Sequence, residues 1–265
     1  MKRIMEDVMN EKVSEGSAVL RWLGQMGLLV RMGQTVLCID YFASDLPGRQ
    51  VLPPVPVEEM AGVDIFLGTH NHLDHIDHPA WRTWASVCPN AKFVFPGLHQ
   101  AEILADGIAA DRCVGMNDGG CVRIGGVTVH AVAASHEFLD RDEKTGLYPY
   151  LGYVIQGNGV TLYHSGDTCL YEGMAACLRQ WPIDIALLPI NGRDAARLRR
   201  NCIGNMTYQE AADLAGAIRP RITVPAHFDM FRGNTANPRE FLAYMACKYP
   251  DLKTFRPRLG VVVEL

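Results

Sequence analysis

Short apolar runs, bounded by glycine, asparagine or aspartate, recur along the whole chain and constrain its fold more than any other feature. Their length and their content of β-branched residues are typical of β-strands. The chain is therefore predicted to be rich in β-sheet. The candidate strands cover residues 18–24, 28–32, 35–40, 64–69, 92–96, 121–124, 127–134, 150–156, 160–166, 184–190, 221–227 and 260–265.

Helical segments lie between these runs, at residues 79–87, 98–106, 171–180, 207–217 and 238–248. Pro79 stands where the first turn of a helix tolerates proline. Thr207 and Glu210 have the spacing of a capping box, so Thr207 is predicted to cap a helix rather than to supply a catalytic hydroxyl. Strand hairpins come first, and strands then alternate with helices in both halves. This order predicts an α/β fold of two packed sheets with helices outside.

The composition excludes several classes of protein. The 265 residues are 48% hydrophobic, which is typical of a globular protein, and this length allows one domain, predicted to cover residues 1–265. The net charge of −4 argues against a dedicated nucleic-acid-binding protein. No run reaches the roughly 18 consecutive apolar residues of a membrane-spanning helix, so no membrane partner is expected.

The N-terminal segment and the cysteines bear on location and assembly. Acidic residues interrupt positions 1–16, which excludes the apolar core of a secretory signal, so a cytosolic location is expected. The eight cysteines lack a Cys-x-x-Cys pair, and most are predicted to be reduced core residues. Ile4, Met5, Val8 and Met9 have helical spacing and can pack on their own domain or on a second subunit, which leaves a homo-oligomer open.

The segment THNHLDHIDH, residues 69–78, follows a candidate strand and carries the clearest chemical signal. Residues two apart in an extended segment face the same side, so His70 and His72 can bind one metal ion. Asp74 and His75 would then face a second position. Imidazole nitrogen and carboxylate oxygen are ligands for zinc, manganese or iron. His78 is interpreted as an exposed cap residue.

The pattern H-x-H-x-D-H after a strand resembles the metallo-β-lactamase superfamily. This resemblance implies a four-layer αββα sandwich with a dinuclear metal site at the sheet edges. The superfamily also carries a later histidine, a bridging aspartate and a final histidine at strand ends, and the segments AASHEF, HSGDT and VPAHFD supply them in order. The resemblance thus assigns one metal to His70, His72 and His136, the other to Asp74, His75 and His227, and the bridge to Asp167.

Three further residues are candidates for supporting the ligands. Asp40 fits a superfamily aspartate that braces the site, or it ends a strand as a turn residue. Asp77 is a candidate for orienting a ligand by a hydrogen bond. His164 lies inside the apolar run VTLYH, which favours a core or supporting position over direct ligation.

Longer motifs narrow the resemblance. Flavodiiron oxygen-reducing relatives typically carry glutamate at the position of His72, so the histidine favours hydrolysis over redox iron. Without an export signal, antibiotic hydrolysis is not expected. The segments WLGQMGLLVR, YHSGDT and PINGRDAARLRR resemble the L-ascorbate-6-phosphate lactonase lineage. That resemblance implies a metal-dependent hydrolase that opens a lactone, or a related ester, of a small anionic substrate such as a phosphorylated sugar acid. The cofactors would be two divalent ions, zinc or manganese, with iron as a third option.

The expected mechanism follows from such a centre. Two divalent ions lower the pKa of a shared water to about 7, and one of them stabilises the developing oxyanion. The candidate catalytic residues are His72, Asp74 and Asp167, with Asp74 relaying a proton to the leaving alkoxide. The guanidinium groups of the basic cluster could bind a phosphate or carboxylate, or form a solvated face. The candidate substrate-binding residues in that cluster are Arg193, Arg197 and Arg200.

Two other functions stay open at this point. The first is hydrolysis of a phosphodiester in a nucleotide or nucleic acid, although the acidic net charge disfavours nucleic acid. The second is a non-catalytic binding protein, although all seven ligand positions carry competent residue types.

Overall fold

The computed structural model describes residues 4–264, and within this range it contains fourteen β-strands. The first six strands and the last strand build one sheet, and the other seven strands build a second. The strands are β1 (Val19–Gly24), β2 (Gly27–Met32), β3 (Thr35–Ile39), β4 (Ile65–Leu67), β5 (Lys92–Pro96), β6 (Cys113–Met116), β7 (Cys121–Ile124), β8 (Val127–Ala133), β9 (Leu151–Gly157), β10 (Val160–His164), β11 (Ile185–Pro189), β12 (Ile222–Ala226), β13 (Lys253–Thr254) and β14 (Val262–Glu264).

Seven α-helices and three short 3₁₀ turns connect the described strands. The 3₁₀ turns are Val57–Glu59, Gly97–His99 and Ala110–Arg112. The helices are α1 (Ile4–Asn10), α2 (His78–Val87), α3 (Gln100–Ala105), α4 (Met174–Leu178), α5 (Ala195–Leu198), α6 (Tyr208–Ile218) and α7 (Pro238–Lys248). None of them is long and apolar enough to cross a membrane.

The two sheets have matching topologies. The first has the order β14-β1-β2-β3-β4-β5-β6, and the second has the order β13-β12-β11-β10-β9-β8-β7. In the first sheet the pairs from β14 to β3 are antiparallel and those from β3 to β6 are parallel. In the second, the pairs from β7 to β10 are antiparallel and those from β10 to β13 are parallel.

Side chains alternate between two faces of each sheet, and this alternation builds the layers. Ile65 and Leu67 of β4 join a core that also contains Leu187 of β11, whereas Phe66 joins the core beneath α2. Ala186 of β11 faces the other way, into a core shared with α6 and α7. Because strand neighbours point to opposite faces, one core lies between the sheets and one lies under each helical layer. The predicted αββα sandwich is thus confirmed.

Most elements follow the sequence expectations, and the exceptions have physical reasons. Strands β6 and β13 and helix α5 are not predicted from the sequence, since each spans at most four residues and, apart from Met116, none of these residues is buried. The last expected strand is found over Val262–Glu264, and Leu265 lies outside the described residues. All eight cysteines are free, but only Cys38, Cys88 and Cys169 are buried, so the expectation that most of them lie in the core is wrong. Cys121, for example, is exposed on the edge strand β7.

Several strands end at one edge of the sandwich, and this edge carries the polar residues of interest. Asp40 follows β3, Thr69 and His70 follow β4, and Asp167 follows β10. Gly166 has a φ of +59°, and a Cβ there would lie 2.8 Å from the Leu151 carbonyl oxygen, so only glycine fits this approach. The edge is therefore packed tightly enough to hold the side chains beside it in fixed positions.

Candidate metal centre

The segment after β4 presents the first ligand candidates. His70 is buried, and its Nε2 atom lies 2.9 Å from Nδ1 of His72. His136, which follows β8, completes a set in which one ligand atom from each residue lies within 4.8 Å of the others. We refer to His70, His72 and His136 as the His70 group.

A second set lies beside the first. Oδ2 of Asp74 is 3.7 Å from Nε2 of His75 and 3.9 Å from Nε2 of His227. His227 directly follows β12 and has a φ of +61°, a left-handed conformation that costs a non-glycine residue energy and is concentrated at functional sites. We refer to Asp74, His75 and His227 as the Asp74 group.

Asp167 approaches members of both groups. One of its carboxylate oxygens, Oδ2, lies 3.1 Å from Nε2 of His227 and 3.6 Å from Nε2 of His136. The other, Oδ1, lies 3.5 Å from Nε2 of His75. The seven polar side chains predicted as ligands thus converge at the sheet edge, with Asp167 between the two groups.

Unpaired buried atoms test whether this cluster fits a metal ion. Nε2 of His75 and Oδ1 of Asp167 are buried, face each other, and have no hydrogen-bond partner among the described residues. Leaving such groups unpaired costs roughly 1–3 kcal/mol each. A divalent cation bound to both would remove that cost, and a donor set of imidazole nitrogens and carboxylate oxygens suits zinc, manganese or iron. The residues present therefore fit a metal ion.

Burial keeps the histidines of the His70 group in the form that binds metal. Burial, with the neighbouring His75, lowers the pKa of His70 well below its usual value. Burial likewise lowers the pKa of His136 to about 4 and shifts the pKa of His72 in the same direction. At neutral pH these imidazoles are uncharged, which is the state that metal binding requires.

The carboxylates and His75 hold charge in spite of burial. Burial raises the pKa of Asp167, but the imidazoles of His227 and His75 outweigh it and hold that pKa well below the usual range. The pKa of His75 shifts the other way, since Asp167, Asp40 and Asp74 overcome burial and raise it. Without metal, the cluster thus favours the positively charged, doubly protonated form of His75. A bound metal cation would offset the charge of the same carboxylates in its place.

Asp40 and Thr69 fix the orientation of His75 and of the loop that carries His70. Asp40 Oδ2 is 2.7 Å from Nδ1 of His75, and the Thr69 hydroxyl donates to the same oxygen at 2.7 Å. Asp40 Oδ1 accepts from the Thr69 backbone N–H at 2.8 Å. When Nδ1–H of His75 donates a hydrogen bond to Asp40, Nε2 points away from Asp40 toward the other ligand candidates, so Asp40 lies where it can brace the site.

Among the described residues, the other two candidates for supporting the ligands, His164 and Asp77, do not contact a ligand candidate through a hydrogen bond as Asp40 does. His164 is buried; its Nε2 donates to the Met26 carbonyl and its Nδ1 accepts from the Gly166 N–H, so neither ring nitrogen is free for a metal. Asp77 caps α2 and binds Ala43 and Ser44, and among its described contacts none is with a ligand candidate, which corrects the expectation that it orients one.

His78 is not the exposed cap residue that the sequence suggested. It is half-buried, and its two ring nitrogens lie 2.5 Å from Asp106 and 2.7 Å from the side-chain oxygen of Asn71. Asn71 stands between His70 and His72 in the chain. His78 therefore anchors the ligand loop to α2 and α3, a contact that no local pattern reveals.

The basic cluster does not line the site. Arg193 forms a two-pronged pair with Glu210, and Arg197 binds Asp194 together with the Asn191 carbonyl. Arg200 is exposed and lies outside the cleft lining described below. The expectation that these arginines bind the substrate is not supported by their positions, because the first two guanidinium groups hold loops and a helix in place.

Two residues of the site were missed by the sequence analysis. Gln25, in the turn between β1 and β2, donates from Nε2 to Oδ2 of Asp74 at 3.0 Å. Tyr150 packs its ring against His70 and His136, with ring centroids 5.5 and 5.3 Å away. The segment WLGQMG contributes to the resemblance described above without singling out Gln25, and nothing local to Tyr150 indicates its position.

A cleft of about 320 Å³ opens over the ligand candidates. Its walls carry apolar and amide side chains and no lysine or arginine among the lining residues. These are His72, Leu73, Asp74, His136, Asp167, Asn201, Cys202, Ile203, His227 and Asn234. A small molecule entering this cleft reaches both groups at once.

Comparison with known proteins identifies the family of the chain. Residues 38–228 match the model of the beta-lactamase superfamily domain. The chain is 31% identical over 251 residues to a UPF0173 metal-dependent hydrolase of Caldivirga maquilingensis, which covers 93% of this chain and 97% of that protein. The chain belongs to the UPF0173 metal-dependent hydrolase family.

A further relative and a solved structure support this family and fold. A UPF0173 metal-dependent hydrolase of Anaeromyxobacter sp. strain K is 31% identical over 250 residues, covering 89% of this chain and 84% of that one. The fold is similar to that of Igni18, a metallo hydrolase from Ignicoccus hospitalis, with a TM-score of 0.74, 23% identity, and coverage of 94% and 98% of the two chains. The UPF0173 chain is thus a metal-dependent hydrolase with the metallo-β-lactamase fold.

Proposed function

We propose that this hydrolase binds two divalent ions, zinc or manganese, with iron as a third option, and uses them to open a lactone or a related small ester. The observation that carries the proposal is the convergence of the His70 group and the Asp74 group on Asp167 at the floor of a small cleft. When bound, such ions would lower the pKa of a water to about 7 and polarise a carbonyl oxygen of the substrate.

The residues of the chain supply binding, orientation and proton transfer. His72 and Asp167 hold their ligating atoms toward the cleft, and Asp167 joins the two groups. Asp74 is partly exposed at the cleft, and the imidazoles of His75 and His227 lower its pKa although desolvation acts the other way. The lowered pKa keeps this carboxylate ionised, and its position at the cleft is what allows Oδ1 to take a proton from the attacking water and pass it to the leaving alkoxide.

The cleft lining favours an uncharged acyl substrate over a phosphate. Among the described residues that line the cleft there is no lysine or arginine, so this lining supplies no guanidinium or ammonium group to bind the phosphate of a phosphorylated sugar acid. Leu73 and Ile203 offer apolar contact, and Asn201 and Asn234 offer hydrogen bonds. Lactones and small esters match this combination of walls, and the same argument counts against phosphodiesters.

A substrate panel tests the proposal. Apo protein is loaded separately with Zn²⁺, Mn²⁺ or Fe²⁺ and assayed with an uncharged lactone, a phosphorylated sugar lactone and bis(p-nitrophenyl) phosphate. We expect kcat/KM for a lactone to exceed that for the phosphodiester by about 100-fold, which corresponds to roughly 2.7 kcal/mol of barrier. The uncharged lactone is expected to be the better of the two lactones.

Two histidine variants show whether the activity belongs to this site. His72→Ala should abolish lactone hydrolysis, whereas His130→Ala, which removes an imidazole of β8 paired with Gln156, should leave it unchanged. Faster turnover of the phosphodiester than of either lactone would overturn the ester assignment. Equal activity of His72→Ala and the unmodified protein would overturn the enzymatic role of the cluster.

A further inference from the structure

Gln25 occupies a position that is unusual for a turn residue. Only Gln25 and Met26 separate β1 from β2, and the ladder between these strands shifts register from Trp22 to Gly24. Turns normally lie at the surface, yet Gln25 is completely buried and has a φ of +49°. The irregular ladder and the left-handed residue aim this side chain into the sandwich edge rather than into solvent.

The backbone of Gln25 is fixed to the last ligand candidate. Its carbonyl oxygen accepts a hydrogen bond from the His227 N–H at 3.0 Å and another from Nε1 of Trp22 at 2.9 Å. The turn of the first sheet is thereby joined to the residue that follows β12 in the second sheet. These two hydrogen bonds fix the backbone from which the Gln25 side chain extends.

The carboxamide of Gln25 contacts the Asp74 group and, among its described hydrogen bonds, no member of the His70 group. Its Nε2 donates to Oδ2 of Asp74 at 3.0 Å, the same oxygen that approaches His75 and His227. The same nitrogen lies 3.4 Å from Nε2 of His227. An N–H donor on a ligating carboxylate restricts its rotation and settles which oxygen meets the cation.

The other half of the carboxamide is costly for folding. Oε1 of Gln25 is buried and has no hydrogen-bond partner among the described residues. An unpaired buried acceptor destabilises the folded state by roughly 1–3 kcal/mol, and an apolar side chain of the same shape would avoid this cost. A residue retained only for stability would not leave this atom unpaired, which points to a role in the site itself.

We propose that Gln25 is a positioning residue for metal binding by the Asp74 group, acting through Asp74. It holds Oδ2 of Asp74 at the distances from His75 and His227 described above. Loss of the amide N–H frees the carboxylate to rotate, so the Asp74 group loses affinity while the His70 group keeps its own. This proposal rests on the two-ion centre proposed above but not on the identity of the substrate.

The test is a calorimetric titration of apo protein with Zn²⁺ alone and with Mn²⁺ alone. Gln25→Met removes the amide and keeps the volume, and Gln25→Asn withdraws the N–H by one methylene. Both variants should bind one ion as the unmodified protein does and the other about 10–100-fold more weakly, the range typical of lost support to a ligand. The melting temperature of Gln25→Met should be unchanged or higher.

Two controls connect the effect to Asp74. Gln156→Met makes the same chemical change in β9, where Gln156 contacts His130, and should not alter either affinity. In an Asp74→Ala background, Gln25→Met should cause no further loss, because the two side chains act as one unit. Excess metal should restore kcat of Gln25→Met, since Gln25 is not among the residues that line the cleft.

Three outcomes would overturn the proposal. They are unchanged affinity of both groups in folded Gln25 variants, equal weakening of both groups, and uptake of a single ion by the unmodified protein. The readout is metal affinity rather than turnover. A failure of the lactone panel alongside the predicted loss of affinity would therefore disprove only the ester assignment.

Discussion

Asp40 and Asp77 are two buried aspartates near the ligand loop that differ in what they touch. Asp40 accepts from His75 and Thr69, whereas Asp77 caps α2 and holds the backbone at residues 43–44. Both therefore belong to the same region of the fold, but only Asp40 contacts a ligand candidate. This difference separates their expected effects on metal binding.

Asp40→Asn is expected to weaken metal binding by about 10–100-fold, because an amide has no negative charge to hold His75 and only one oxygen for the three donors that Asp40 accepts from. Asp77→Asn, a matched change of a buried carboxylate, should lower the free energy of unfolding by about 1–2 kcal/mol and leave metal affinity unchanged. Metal titration together with urea unfolding measures both effects. The assignment of Asp40 fails if the two variants bind metal equally well.

The arginines of the basic cluster act on neighbouring side chains. Asn234 lines the cleft, and its Oδ1 accepts from Asn191 at 2.8 Å and from Arg197 at 3.2 Å. With its oxygen engaged in this way, the amide NH₂ of Asn234 is left to donate to a substrate oxygen.

Arg197→Met is therefore expected to lower kcat/KM for the fastest lactone of the panel about tenfold, or roughly 1.4 kcal/mol, by releasing Asn234. Arg193→Met should change KM less than about twofold, because Arg193 pairs with Glu210 outside the cleft. Steady-state kinetics of the two variants distinguish them. A rise in KM with Arg193→Met alone would restore the idea of direct anion binding by that residue.

Helix α6 begins at a complete capping box. The Thr207 side chain accepts from the Glu210 N–H, and the Glu210 carboxylate accepts from the Thr207 N–H at 2.8 Å and from Arg193. These hydrogen bonds, with the Arg193 guanidinium contributing most, lower the pKa of Glu210. Stability from a lowered carboxyl pKa is present above the unfolded value and is lost as pH falls through the folded value.

Glu210→Ala is expected to reduce the free energy of unfolding at pH 7 by about 1–2 kcal/mol, with a smaller difference near pH 3, because the stabilisation from its lowered pKa declines below the usual carboxyl pKa. Glu240 is the matched control, since it holds the third position of α7, as Glu210 does in α6, and its side chain makes no described ion pair. Glu240→Ala should cost less than about 0.5 kcal/mol. An equal loss at pH 3 and pH 7 would contradict the argument from charge.

Elements with a strong local signal could be predicted from the sequence. Helix α7 has proline in its first turn and ends where expected, and α6 has its capping box. The ligand candidates could be predicted because each follows a strand end or lies in one dense motif. Gln25 could not, because its partners Asp74 and His227 lie 49 and 202 residues away in the chain and no local pattern encodes that contact.

At the scale of the molecule, the candidate centre joins the two sheets. His70 and His75 follow a strand of the first sheet, whereas His136, Asp167 and His227 follow strands of the second. A bound ion would therefore connect the halves of the sandwich. Binding that is restricted to the folded state adds to stability by mass action.

Removal of metal by EDTA is accordingly expected to lower Tm by about 10 °C, the shift for roughly 4 kcal/mol in a chain of this size. Scanning calorimetry of loaded and stripped protein measures it. Asp167→Ala, which lacks the carboxylate between the groups, should respond much less to EDTA. Equal Tm values for loaded and stripped protein would show that the centre adds nothing to the cohesion of the sheets.

The order of the strands has a consequence for synthesis of the chain. The first sheet receives its inner strands early, but its outermost strand, β14, pairs with β1 only after the whole second sheet has been made. During translation the dense histidine loop is present long before His136, Asp167 and His227. Until His136 has been synthesised, the nascent chain holds only four of the seven donors. A complete centre can therefore form only after His227, near the end of the second sheet, has left the ribosome.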